Sequence, residues 1–513
     1  MLTRVYSAAL NGVDAIEVEI EVDERRSRSF QQVIVGLPDA AVRESRDRVL
    51  TALANSKLNF PKGHTTINLA PANLKKEGPS FDLPIALGVA ALMDEDFNDD
   101  AFDKCTIVGE LALNGRVRPV NGVLSLTLEA KRKGRKAMLV PQENAAEASV
   151  VEGIYVYGIP TLNDAVALLK GEGNIKPQKL DRQAFFGERS VYDVDFADVK
   201  GQLHARRALE VAIGGGHNAL LVGPPGTGKS MMAKRTVTIM PPMTEEEAIE
   251  TTKIHSVAGF LEKDSGFVAT RPFRSPHHTI SDAGLLGGTS NPSPGEVSLA
   301  HNGILFLDEL PEFRRSTLEV MRQPLEDGRV TISRAAATFT FPSRFNLIAA
   351  MNPCKCGYLG DPKRDCSCSA AEIENYRNRI SGPLLDRIDL HVEVPMVDYK
   401  ELAAEERGES SEKIRERVIR CREIQLERFS SVPDTTCNGA MPPKVMRQHC
   451  RLDSKCSKAL DDAMERLNFS ARAHDRILKV ARTLADLEAS PHIREDDVLE
   501  AIQYRTLDRQ LWR

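Results

Sequence analysis

Eight consecutive residues, Gly223, Pro224, Pro225, Gly226, Thr227, Gly228, Lys229 and Ser230, fit the pattern G-x-x-x-x-G-K-[ST] at every fixed position. The pattern suits a polyphosphate: glycines let successive backbone N–H groups turn inward, the lysine reaches the β- and γ-phosphates, and the hydroxyl after it is a ligand for Mg2+. ATP and Mg2+ are therefore the expected cofactors. The apolar run from Ala219 to Val222 reads as a buried strand entering the loop, and Met231 to Arg235 can open a helix whose positive end faces the phosphates.

Further acids have the matching chemistry. The run from Gly303 to Leu307 is a fully apolar strand ending in Asp308 and Glu309, and an open α/β sheet presents its ligands at the carboxyl ends of its strands. Asp308 is expected to hold the Mg2+ shell and Glu309 to act as base toward the attacking water. A third strand, beginning at Asn346, ends in Asn352, which either orients the water near the γ-phosphate or forms an Asx turn before Pro353. Two C-x-C pairs follow, Cys354 with Cys356 and Cys366 with Cys368, nine residues apart in a loop with Gly357, Gly360 and Pro362. Four thiolates meeting in this way fit a tetrahedral structural Zn2+ site, with unpaired thiols as the alternative because the spacing is tighter than C-x-x-C. Cysteines 105, 421, 437, 450 and 456 have no ligand-like spacing, and His277 and His278 read as loop or channel residues.

These groups need a scaffold of several parts. A chain of 513 residues with 42% hydrophobic content suggests about three domains of an ordinary globular protein. A net charge of −5 gives no global basic footprint, so any contact with nucleic acid must be local. The amino terminus lacks the order of a secretory signal, and the longest nearly apolar run, Leu83 to Met93, is too short for a bilayer. A cytoplasmic protein with no membrane partner and reduced cysteines is expected. Strand-like and helical runs mix over residues 1–172, a polar linker covers 173–195, and strands alternate with helices over 196–395, which contains the four-cysteine loop 353–369. Residues 396–513 read as a charged helical lobe. The fold class is α/β, with a parallel sheet in the middle segment.

The ordered set Gly223–Ser230, Asp308–Glu309, Asn352 and the run from Ser381 through Arg387 to Asp389 resembles AAA+ ATPases. The branch it resembles contains magnesium-chelatase ATPase subunits and minichromosome-maintenance helicases, for which the string from Pro294 to Gly303 is typical. End to end, the chain resembles the YifB/ComM family of magnesium-chelatase-like proteins associated with natural transformation. That resemblance implies a P-loop core with a helical lid and a ring, expected to be a homo-hexamer. Arg387 would be the arginine finger reaching the neighbour's ATP site. A lid arginine would contact the γ-phosphate: Arg472 stands at that position, and Arg476 is four residues on along the same helical face.

Residues Gly328 to Pro342 form two β-prone runs joined by a small-residue turn, a hairpin. In the helicases that the chain resembles, such a hairpin enters the ring channel with a basic residue toward its tip. Arg334 holds that place, with Arg329 and Arg344 as further candidates, for sequence-independent contact with single-stranded or branched DNA. The run from Lys131 to Lys136 reads as the exposed end of a helix. The amino-terminal segment resembles the Lon proteolytic domain, an S5-type α/β fold: Gly78-Pro79-Ser80 retains the nucleophile, but the position of its lysine base falls on Leu126. A serine without a base is a poor nucleophile, so peptidase activity is not expected. The function implied is an ATP-driven ring motor on DNA, of the ComM-like branch-migration type. Protein remodelling is the alternative, and an ATP-dependent protease is disfavoured by Leu126.

Overall fold

The computed structural model describes residues 2–25, 31–73, 75–76, 78–179, 192–261, 266–288, 293–333, 338–361, 363–397 and 408–507. The linker expected at 173–195 lies partly outside them. The chain forms two compact units. The first comprises Met1–Arg189, Thr244–Ala269 and Ser333–Phe341, and the second Ser190–Met243, Thr270–Ile332 and Pro342–Arg513.

In the first unit the strands are β1 (Leu2–Asn11), β2 (Asp14–Arg25), β3 (Gln31–Val35), β4 (His64–Ala70), β5 (Cys105–Ile107), the short β6 (Glu110–Leu111) and β7 (Val117–Arg118), β8 (Ala137–Pro141) and β9 (Tyr155–Ile159). Seven of them form a mixed sheet in the order β3-β4-β2-β1-β5-β8-β9. A two-residue turn at Gly12, whose φ is +68°, brings Asn11 opposite Asp14 and starts the long antiparallel ladder of β1 and β2. The apolar run after Ser80 becomes the helix Asp82–Ala91, every residue of which is buried. At Gly88 a Cβ would stand 2.9 Å from Val22 Cγ2, so the missing side chain lets this helix press onto β2. No helix among the described residues is long and apolar enough to cross a membrane.

The helix Glu245–Val257 belongs to this unit although it follows the phosphate loop in sequence. Its Ser256 hydroxyl accepts the Gly122 N–H at 2.9 Å and donates to the Glu147 carboxylate. Glu147 also receives the Leu124 N–H at 2.7 Å and the Asn144 amide at 3.2 Å. Burial pushes its carboxyl above the usual range, against the pull of these donors.

In the second unit β10 (Ala219–Val222), β11 (Phe273–Arg274), β12 (Ile304–Leu307), β15 (Asn346–Met351) and β16 (Leu390–Glu393) form a sheet in the order β11-β12-β15-β10-β16, with every neighbouring pair parallel. All residues of β10, β12 and β15 are buried, as a parallel sheet covered on both faces requires. Alternate residues serve the two faces. Leu221, Phe306, Ile348 and Val392 join one core with the helices Leu203–Gly215, Ser411–Arg428 and Ala471–Leu487, so the carboxy-terminal helices share their core with the sheet. Leu220, Leu305, Leu347 and Ala349 pack on the other face against Leu285, Leu318 and Leu384. The predicted hairpin is present as β13 (Arg329–Ser333) paired with β14 (Thr338–Pro342); Arg334 lies outside the described residues.

A buried charge joins the start of the sheet to the helical region. The Asp389 carboxylate, 2% exposed, lies 2.7 Å from Arg476, 3.4 Å from His217 Nδ1 and 3.1 Å from the Asn218 N–H. Burial pushes its carboxyl up, but Arg476, His217 and the Asn218 N–H outweigh burial and hold it well below the usual range. Burial holds His217 below its ordinary value despite the carboxylate. Both shifts have one sign: stability is present above the unfolded-state values, about 3.9 for Asp and 6.5 for His, and is lost as pH falls. Asp389→Asn should cost on the order of 3 kcal/mol, because it leaves Arg476 without its charge partner. The check is the thermal melting midpoint, which should drop by several degrees at pH 7 and by less at strongly acid pH, where the wild-type carboxylate is itself protonated.

Candidate functional site

The phosphate loop leaves the carboxyl end of β10, and its glycines answer two different demands. At Gly223 a Cβ would lie 2.1 Å from the Val394 carbonyl oxygen, so only glycine lets the loop pass that backbone. Gly226 and Gly228 take φ of +81° and +86°, turning the loop into the helix Lys229–Thr236. The Lys229 ammonium is held over the loop by the carbonyl oxygens of Gly223 at 2.7 Å and Pro224 at 2.8 Å. Asn352 Oδ1, just past the end of β15, stands 3.3 Å from it. Gln202 ties the outside of the loop down: its amide donates to the Pro395 carbonyl at 2.6 Å and to the Thr227 carbonyl at 3.4 Å.

The acids meet the loop from β12. The Ser230 hydroxyl donates to Asp308 Oδ2 at 2.6 Å, so the two oxygens expected around Mg2+ are already side by side. Hard oxygen donors of this kind, with open space for phosphate oxygens and water, suit that ion. Glu309 follows with φ +52°, a left-handed conformation sparsely populated by non-glycine residues. Its carboxylate lies 3.4 Å from His278 Nδ1, and His278 in turn packs on the His277 ring at 4.1 Å and edge-on to Phe313 at 6.4 Å. Sequence reasoning placed these histidines in a loop without a partner. The acid that meets His278 is remote in sequence and reaches it because β11 lies beside β12.

The arginines lie elsewhere. Arg387 precedes β16, and its carbonyl accepts the amide of Asn218, the residue before β10. Because β10 and β16 are parallel, Arg387 stands at the amino-terminal edge of the sheet, and the phosphate loop at the carboxyl edge. The four residues of β10 separate them by about 13 Å. The Arg387 guanidinium, 7% exposed, is bound by the Pro383 carbonyl and by Glu326, a partner that sequence spacing did not suggest. Arg472 projects into solvent and touches Asp386 at 3.2 Å, whereas Arg476 is engaged by Asp389. Arg387, Arg472 and Arg476 line one cavity of about 180 Å3 together with Glu326, Asp386 and Asp475.

Of the other expected groups, Arg344 is exposed at the base of the hairpin, with its own N–H donated to His301 Nδ1 at 3.0 Å, and Arg329 opens β13. Ser80 sits in the single turn Pro79–Phe81. Leu126 is 2% exposed in a cluster with Val108, Met138 and Val140, so the place of the proteolytic lysine is hydrophobic core. In the basic run, Arg132 pairs with Glu129 and Arg135 with Glu17. The sulfurs of Cys354, Cys356, Cys366 and Cys368 all lie within 4.8 Å of one another. The Tyr358 N–H and the neighbouring thiols bring the Cys356 thiol down to about 5.

Burial pushes the Lys229 ammonium down to about 8, and the Asp308 carboxylate only partly opposes it. A bound polyphosphate adds negative charge and raises that value, so binding takes up a proton once the pH exceeds 8. Affinity for Mg-ATP should therefore be flat below pH 8 and fall by up to tenfold per unit above it. Titration of a fluorescent ATP analogue across pH 6.5 to 9.5 reads this directly, and a flat profile would contradict it.

Comparison with known proteins agrees with this geometry. The family described as "Magnesium chelatase, subunit ChlI" matches residues 195–402. "Subunit ChlI of Mg-chelatase" matches residues 18–144, and "Magnesium chelatase, subunit ChlI C-terminal" matches residues 408–505. Competence protein ComM of Haemophilus influenzae is 42% identical over 99% of this chain and 98% of its own. YifB of Escherichia coli is 40% identical over 99% and 98%. Lon protease 2 of Bacillus subtilis is 30% identical over 27% of this chain and 26% of its own. A phosphate loop, an acidic strand and a parallel α/β core thus sit in a chain similar to these relatives over almost its whole length, and the chain belongs to the YifB/ComM family of magnesium-chelatase-like AAA+ ATPases.

Proposed function

We propose that this protein hydrolyses ATP in a homo-hexameric ring that moves on DNA, as a ComM-like branch-migration motor in recombination or natural transformation. One observation carries the ring: Arg387 stands on the sheet edge opposite its own phosphate loop. An arginine so placed serves an ATP site only in a neighbouring copy, where it stabilises charge developing on the γ-phosphoryl group. Arg472 shares that edge and is assigned to the same neighbour's site. Within one copy, Lys229 and the loop N–H groups bind the polyphosphate, Ser230 and Asp308 hold Mg2+, and Glu309 takes the proton of the attacking water. Asn352 fixes that water's position. Mg2+ neutralises charge on the phosphate oxygens when bound.

For DNA, we assign the hairpin of β13 and β14, with Arg334 and Arg344, to phosphate contact inside the ring, and the competence name of the Haemophilus relative supports that substrate. The four-cysteine loop is assigned a structural Zn2+. The magnesium-chelatase family match favours protein remodelling as the second reading. Peptide hydrolysis is not proposed, since buried Leu126 offers Ser80 no base.

Forked or four-way DNA should stimulate ATP turnover several-fold and unfolded protein should not; stimulation by protein alone would transfer the assignment to remodelling. Arg387→Ala should lower turnover by about 10³-fold while changing ATP affinity little. Mixing the inactive Arg387→Ala and Lys229→Ala chains should restore a fraction of activity, because some interfaces then pair an intact loop with an intact arginine. Mixtures without any recovery would overturn the shared site.

A further inference from the structure

We infer that the four-cysteine loop is a metal-dependent brace of the phosphate loop, so that a zinc ion in it and ATP in the nucleotide site bind cooperatively. This rests on the zinc assignment above, which the sulfur geometry supports. Cys354 Sγ lies 3.3 Å from Cys356 Sγ and 3.6 Å from Cys366 Sγ, and Cys356 and Cys366 are 3.6 Å apart. Zinc–sulfur bonds near 2.3 Å at tetrahedral angles set sulfurs about 3.8 Å apart. The Cys356 N–H already donates to Cys368 Sγ at 3.4 Å, the kind of outer contact that orients a thiolate ligand. Spacings this short suit one ion and are tight for an iron–sulfur cluster, which sits as a larger body between its ligands. They are also far longer than a disulfide bond. Binding would hold all four sulfurs as thiolates and release the protons of those still protonated.

The coupling lies in what this loop touches. It begins one residue after Asn352, whose side chain meets Lys229. Five residues on, Gly357 takes φ +88°, and a Cβ there would stand 2.8 Å from Pro225 Cδ and 3.2 Å from Pro225 Cγ. The backbone of the cysteine loop therefore rests on the phosphate loop at one end and carries the γ-phosphate side of the site at the other. Behind it, Arg377 donates to the Pro353 carbonyl at 3.2 Å, and Tyr376 of the same helix is buried. Four sulfurs drawn onto one ion fix the span between Asn352 and Gly357. Without the ion, the short loop has four unlinked sulfurs in place of a cross-link, and both contacts with the nucleotide site loosen together. Reciprocity follows: a metal that tightens ATP binding must itself be held more tightly when ATP is bound, by the same factor.

The full-length protein from zinc-supplemented cells should contain one zinc per chain. At equilibrium, a chromophoric zinc chelator should compete for it at least ~5-fold less effectively with a non-hydrolysable Mg-ATP analogue than with Mg2+ alone, and the zinc-depleted chain should bind a fluorescent ATP analogue weaker by a similar factor. Gly357→Ala leaves all four cysteines in place but forces a side chain against Pro225. It should retain zinc, while its zinc affinity no longer responds to nucleotide. Absence of zinc from a chain that binds ATP normally would overturn the metal assignment and the coupling with it. Zinc present, but held with one affinity with or without nucleotide, would overturn the coupling alone. Circular dichroism of the zinc-depleted chain separates a loosened site from an unfolded one: a native spectrum with weakened binding supports the brace, and loss of native signal overturns it.

Discussion

The parallel alignment of β10 with β15 and β16 is the constraint on which the rest of the second unit depends. Strands that run the same way must all end at the same edge. The loop after β10, the acids after β12 and Asn352 after β15 are therefore gathered without any of them being neighbours in sequence. The same rule sends what precedes the strands to the other edge, and Arg387 and Asp389 precede β16. A chemistry that needs both edges cannot be completed by one sheet. Asp389 is the charge that holds the far edge, because it pairs with the helix Ala471–Leu487 through Arg476 and with the entry to β10 through Asn218.

The edge where phosphate chemistry is expected carries one strained residue and one very close approach. Glu309 is turned into a left-handed backbone at the end of an otherwise regular strand. Gly223 passes a carbonyl at a distance that no side chain tolerates. The first unit presents the reverse case. Around Ser80 the fold similar to Lon is retained, but the place where a proton acceptor would stand is filled by a leucine packed among Val108, Met138 and Val140.

What was legible in the sequence was chemistry written at short range. The phosphate loop, the acidic strand end, the paired cysteines and the parallel α/β core all show in runs of fewer than ten residues or in regular alternation, because the backbone that forms them is local. Partners set by topology left no such mark: Gln202 on the loop, His278 beside Glu309 and Glu326 on Arg387 are each brought together by strand order. The choice between Arg472 and Arg476 was likewise open at helical spacing, since what distinguishes them is whether the facing carboxylate is half-buried Asp386 or buried Asp389. The helix Glu245–Val257 also gave no sign of its allegiance. Its buried residues are Ala248, Thr251, Thr252, Ile254 and Ser256, a face of small and hydroxyl side chains that does not announce which core it will join.

That allegiance bears on how the protein can be taken apart. The first unit is completed by residues 244–269 and 333–341, drawn from within the stretch that carries the phosphate loop and the acidic strand. A fragment ending at residue 189 would lose the Ser256 hydroxyl, leaving the Gly122 N–H unmatched and the Glu147 carboxylate one donor short in a buried place. A single cut therefore never yields two intact halves, and a recombination event that traded one half for a relative's would have to carry three separate pieces of the gene. The chain is interleaved, and neither unit is a continuous stretch of it.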